Sequence, residues 1–278
     1  MENLDQRVAI VGAGYAGMAA AVRLADAGIP VTVFESGSVP GGRARRIRIS
    51  SHGQGNELDN GQHILIGAYT QLLWLMGLVG VPLRAVRRMP LELRYADGFS
   101  FRALGLPAPF GLLAGLLAAR GLPLRERLDA VKFIHRMRKR AFRLERDLPV
   151  DELLRAQRQD GRIGHYLWRP LCVSALNTPS ALASSNAFLA ALRDALLGPN
   201  GSSDLVLPCV DLSKLFPEPA MEFVRKRGGE VRLRRPVDNI AELKKQHDAV
   251  VVAVGPQHLK ALLPDLAPEY TYQPINTC

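Results

Sequence analysis

A chain of 278 residues that is 47% hydrophobic and 22% charged can bury a sizeable core, which excludes disorder as its resting state. Its 36 Lys or Arg against 26 Asp or Glu leave a net charge of +10, and its three cysteines, Cys172, Cys209 and Cys278, lie far apart. That spacing offers neither a metal site nor a disulfide framework, so buried, inert thiols in a reducing compartment are expected.

The N-terminus carries Glu2 and Asp5 and runs into an apolar strand, so it does not read as a signal peptide. That strand is Val8-Ala9-Ile10-Val11. A glycine turn follows, Gly12-Ala13-Gly14-Tyr15-Ala16-Gly17, then an alanine-rich helix ending at Gly28. A second strand, Val31-Thr32-Val33-Phe34, delivers Glu35 and Ser36 at its carboxyl end. In such a βαβ unit the first glycine permits a tight turn, the second lets a pyrophosphate approach the backbone, and the third lets helix and strand pack. The phosphates then meet the amides and positive dipole end of the helix. A carboxylate at Glu35 can accept from a ribose hydroxyl and would repel the extra phosphate of NADP, which leaves NAD and FAD. The next glycines stand in Pro40-Gly41-Gly42-Arg43-Ala44.

Ser50 to Gly55 reads as a turn between two short strands, followed by Leu58-Asp59-Asn60-Gly61-Gln62-His63-Ile64-Leu65. Tyr69 to Leu78 is apolar at helical spacing, includes Trp74 and Met76, and reads as a core helix stopped by Gly80 and Pro82. Val86 to Phe101 suggests a hairpin turning at Asp97-Gly98.

Ala103 to Ala119 contains no charged residue, yet it is too short and too broken by Pro107 and Pro109 to span a bilayer. Between Arg120 and Arg146 stand ten Lys or Arg and three acids. An apolar wedge with a basic flank suits contact with an anionic membrane surface; a core helix followed by a solvated one is the alternative. Nucleic acid is not expected, because no binding motif accompanies the charge.

Arg155 to His165 is polar and connects helices, which are expected over Tyr166–Asn177 and Ala187–Leu197. A helix from Ala220 to Arg227 should stop at Gly228-Gly229. Glu230 to Pro236 reads as a short strand reaching Val237, and Asp248 to Val254 as a buried strand of the parallel-sheet kind. None of the six histidines makes a metal-ligand spacing, so no metal site is expected.

The Gly41-Gly42-Arg43 segment resembles the second motif of FAD enzymes of the amine oxidase and phytoene desaturase superfamily. The Asp59–Tyr69 segment resembles one branch of it. So does the block from Phe188 to Pro219, with Leu192-Arg193-Asp194, Val210-Asp211-Leu212-Ser213 and Phe216-Pro217-Glu218-Pro219. That branch is the squalene-associated FAD-dependent desaturases, or hydroxysqualene dehydroxylases, of bacterial hopanoid synthesis. The resemblance implies an α/β fold: a Rossmann-like FAD-binding domain from residues 1–68 and 220–278, and a largely helical substrate-binding domain inserted over 69–219.

It implies FAD held by Gly12, Ala13, Gly14, Ala16, Gly17, Glu35, Ser36, Gly41, Gly42 and Arg43. Gly61, Gln62 and His63 would lie near the flavin and the backbone of Val237 would meet the adenine; a structural role for His63 stays open. The implied substrate is the apolar isoprenoid hydroxysqualene, reduced to squalene at the expense of an unidentified electron donor. A cytoplasmic protein, peripheral on the inner face of the bacterial membrane, is expected. A carotenoid-type desaturase, an amine oxidase or a non-catalytic remnant are the alternatives. Asp238 to His247 is shorter than the hairpin relatives carry. Relatives also continue beyond Tyr272–Cys278 into a Gly-Asp motif that closes over the flavin, so the sequence is expected to be a partial member.

Overall fold

The structure, a computed structural model, describes residues 6–51, 54–61 and 63–269. In chain order its elements begin with β1 (Val8–Val11), α1 (Tyr15–Asp26), β2 (Val31–Phe34), β3 (Arg46–Ser51), β4 (Gln54–Asp59), β5 (Leu65–Ile66), α2 (Thr70–Leu78) and β6 (Val86–Met89). Next come β7 (Glu92–Arg94), β8 (Ser100–Arg102), α3 (Phe110–Ala118), α4 (Leu124–Lys139), α5 (Val150–Ala156), α6 (Arg169–Leu176) and α7 (Ser185–Leu197). The last third holds β9 (Leu205–Pro208), α8 (Leu212–Leu215), α9 (Pro217–Lys226), β10 (Glu230–Arg232), α10 (Ile240–Gln246), β11 (Ala249–Val252) and α11 (Pro256–Leu262). Two compact units divide the chain, one from residues 1–64, 71–87 and 208–278, the other from 65–70 and 88–207.

The first unit is built on a parallel sheet of order β10-β2-β1-β11, with Val8 opposite both Val31 and Ala249. β1 is buried along its length, as a strand between two parallel neighbours must be. Small alanines on α1 let it pack close: Ala21, Val22 and Ala25 are buried, and α9 lies against the helix. Gly28, at φ +75°, ends that helix by donating to Ala25, a left-handed stop that glycine adopts without strain. On one face of the sheet Ala9 and Val11 form a small core with Ile240 and Leu243 of α10, and Phe34, Val237 and Val252 are packed against it.

Several expectations need adjusting. The strand after Gly229 ends at Arg232, short of Val237. β11 is less buried than its valine run suggests, because among the described strands it pairs with β1 alone and forms the sheet's edge. α9 starts at Pro217 rather than Ala220, since proline is pre-set for the first helical turn. β3 and β4 pair as far as Ser51 and Gln54, so Ser50 and Gly55 belong to strands; the turn at His52-Gly53 lies outside the described residues. In α2, Leu75 and Met76 are buried, but Trp74 is exposed, with the Arg23 guanidinium 4.8 Å from its ring centre.

The second unit is mostly helical. The hairpin turning at Asp97-Gly98 is formed by β7 and β8 alone, without β6. Its core joins Phe99 and Phe101 to Phe133, Leu154, Trp168 and Phe188 from the helices around them. A buried Gln159 is satisfied there by the Trp168 indole N–H at 2.9 Å. β5 and β9 pair antiparallel, Leu65 opposite Val206.

Candidate dinucleotide-binding site

The carboxyl ends of β1, β2 and β10 bring the glycine turn, Glu35 and Val237 into one neighbourhood of the first unit. Gly12 sits at φ +102°, and a Cβ there would lie 2.7 Å from the Ala253 carbonyl oxygen. At Gly17 a Cβ would lie 1.9 Å from the Gly12 carbonyl oxygen. Both glycines are therefore required by the protein's own packing. Gly14 differs: its φ is −69°, and the nearest atom to an added Cβ, the Gly42 Cα, is 4.0 Å away. A side chain at Gly14 would enter open space above the first turn of α1. That turn has no side-chain cap and no acidic residue, which leaves its amides for an anion.

The second glycine pair forms the floor of this space. Gly41 N–H donates to the Ala13 carbonyl at 2.8 Å, and Gly42, at φ +60°, approaches Gly14 so closely that a Cβ would come within 3.2 Å of its Cα. Ala13 is buried and Ala16 exposed at the rim. Arg43 is exposed, and its carbonyl accepts from the Asn60 side chain at 3.2 Å.

Glu35 is anchored by both carboxylate oxygens. One accepts from Ala13 N–H and the other from Gly37 N–H, each at 2.7 Å, with the Ser36 hydroxyl 3.4 Å from the latter oxygen. The chain leaving β10 runs beside this corner, Arg235 N–H donating to the Glu35 carbonyl at 2.8 Å. Val237 follows two residues later, half-buried on the small core. Gly61 has φ +88° with exposed His63 beside it, and Gln62 lies outside the described residues. An uncapped helix start, an open cradle at Gly14 and a carboxylate at the second strand end together fit a dinucleotide.

The sequence reading missed the group that ties this turn to the Asp211–Glu218 block. The Arg46 guanidinium lies 3.1 Å from Asp211, 3.0 Å from Glu218 and 3.6 Å from Glu57, while its backbone N–H donates to the Ser213 hydroxyl at 2.9 Å. Asp59 accepts from Leu212 N–H at 2.8 Å, and the Tyr15 hydroxyl donates to the Leu212 carbonyl at 2.8 Å. Burial, with the charges of Asp59 and Asp211, pushes the Tyr15 hydroxyl well above its ordinary range and keeps it protonated. Partial burial opposes ionisation of Asp211, but hydrogen bonds from Lys214 and the charges of Arg46 and Lys214 outweigh it and hold the carboxyl below its usual range. These carboxylates hold segments together. Their Arg46 partner had no local signal, being 165 and 172 residues away.

A cavity of about 580 Å³ in the first unit is lined by Leu78, Phe223, Lys214, Glu218 and Lys226. One of about 320 Å³ in the second lies under Leu104–Pro109, against Asn200–Asp204. Among the described residues no three His, Cys, Asp or Glu could hold a metal ion. Cys172 is buried, which pushes its thiol pKa up, but Cys209 is exposed, contrary to the expectation of burial.

The sequence model of one family, Flavin containing amine oxidoreductase, matches residues 15–277. The hydroxysqualene dehydroxylase of Zymomonas mobilis is 26% identical over 96% of this chain and 66% of its own length. A 15-cis-phytoene desaturase of Synechococcus elongatus is 29% identical over 93% of this chain and 60% of its own length. An oxidoreductase structure from Methanosarcina mazei shares the fold, with a TM-score of 0.65 and 18% identity, over 94% of this chain and 61% of that one. The chain thus spans slightly under two thirds of the length of these two relatives.

Proposed function

The chain belongs to the flavin containing amine oxidoreductase family, and we propose that it is the FAD-bearing portion of an oxidoreductase that converts hydroxysqualene to squalene. The observation carrying this reading is the match to the Zymomonas mobilis hydroxysqualene dehydroxylase along 96% of the chain. The chemistry FAD supplies there, once reduced, is hydride transfer to the carbon that loses its hydroxyl. The chain's own residues bind and orient. The first turn of α1 offers amides to the pyrophosphate through the opening at Gly14. Glu35, fixed by Ala13 and Gly37 N–H groups, keeps acceptor capacity for a ribose hydroxyl. Val237 brings backbone beside that ribose corner, where an adenine would lie.

A second reading, desaturation of a carotenoid-type polyene, is favoured by the match to the Synechococcus elongatus phytoene desaturase. Both are tested on the chain joined to the part of the Zymomonas mobilis protein that the match leaves uncovered. With FAD and dithionite, squalene should form from hydroxysqualene. Phytoene desaturated under an oxidant, with no squalene from the other incubation, selects the second reading. A protein carrying a full complement of FAD that converts neither substrate overturns both.

A further inference from the structure

We infer that the Leu104–Leu128 region of the second unit docks on an anionic lipid bilayer. The apolar run is split between inside and outside. Leu116 is 2% exposed and belongs to the core, and Leu112 and Leu113 are packed partly against it. Facing out are Leu104, Leu106, Phe110, Leu117, Leu124 and Leu128, with Phe110 at 62% and Leu124 at 60% exposure. Phe110 and Leu117 stand seven residues apart on α3, and Leu124 and Leu128 four apart on α4, so each pair shares one helix face. Arg127 joins the helices by donating from its guanidinium to the Leu117 carbonyl at 2.8 Å. Leu104 N–H donates to the Gly111 carbonyl at 3.0 Å, which folds the loop back on the start of α3.

Charge selects the occupant. α4 carries Arg125, Arg127, Lys132, Arg136, Arg138 and Lys139, against Glu126 and Asp129. Glu126 turns inward to accept from Ile163 N–H at 2.8 Å, and Asp129 is shared by Arg125 and Lys132 at 3.8 and 3.7 Å. The face beyond Leu128 therefore presents excess cations to solvent. Protruding leucines and a phenylalanine beside excess cations match the acyl boundary and the anionic headgroups of a bilayer. Among the described residues no helix is long and apolar enough to cross a membrane.

The test is co-sedimentation of the 278-residue chain with phosphatidylcholine vesicles, with and without phosphatidylglycerol. Binding should require phosphatidylglycerol and weaken with salt. Phe110→Ser with Leu117→Ser should lower the partition coefficient about tenfold at any salt concentration. Lys132→Gln with Lys139→Gln should lower it about fivefold per charge at low salt and little at high salt. These positions are exposed, so circular dichroism should match the parent. Equal binding to neutral vesicles overturns the assignment, as do variants that bind like the parent. So does loss of a protein dimer, rather than of vesicle binding, in the Phe110→Ser, Leu117→Ser chain.

Discussion

Gly17 and Gly14 occupy one motif but answer to different demands. A methyl group at Gly17 meets the Gly12 carbonyl oxygen at 1.9 Å, so Gly17→Ala should destabilise the unit by about 1–3 kcal/mol, read as a lower midpoint in urea unfolding. An unchanged midpoint would place helix and turn further apart than they are here. Glu35 adds a third case. Because its carboxylate accepts from two backbone N–H groups, Glu35→Ala should cost stability without any ligand, about 1.5–3 kcal/mol for each bond lost. Thermal unfolding of the FAD-free protein checks this, and an unaltered Tm would mean that Glu35 serves the ribose alone. The motif was legible because its demands are local: a tight turn, a close helix and an acid at the next strand end lie within 28 residues of one another, Val8 to Glu35. The anchoring of Glu35 on Ala13 was not, since a spacing rule names the acid and not the backbone that orients it.

At the scale of elements, β1, α1 and β2 were readable from β-branched runs and an alanine-rich helix. The Arg46 cluster was not, because it joins β3 to α8 and α9 across distant sequence. Its pH dependence follows from Asp211. The folded carboxyl titrates below its unfolded value, so its contribution is present above the ordinary carboxylate range of about 4 and fades as pH falls through the folded value. Asp211→Asn should therefore lower stability near neutral pH, and the gap from the parent should close in acid. A gap that widens in acid would contradict this. The apolar run of α3 makes the same point about limits. Composition alone treats Leu116 and Leu117 alike, yet only Leu116 is in the core. Leu116→Ser should cost about 3 kcal/mol or more and Leu117→Ser under about 1 kcal/mol in urea unfolding.

For the molecule as a whole, the chain holds two compact units. Each cradle position named from the sequence and described in the structure lies in the first: Gly12 to Gly17, Glu35 and Ser36, Gly41 to Arg43, Gly61, His63 and Val237. Burial of the valine-rich β11 was overestimated because a sequence run cannot tell a central strand from one that pairs on a single side. The central claim, that this chain cradles FAD at the start of α1, is tested most directly by titrating FAD into the purified 278-residue protein and following quenching of flavin fluorescence. Saturable binding at one FAD per chain is expected. Gly14→Val should abolish it while leaving circular dichroism unchanged, because an added Cβ points into the ligand space and has no protein atom nearer than the Gly42 Cα at 4.0 Å. A Gly14→Val chain that binds FAD as tightly as the parent would contradict the account.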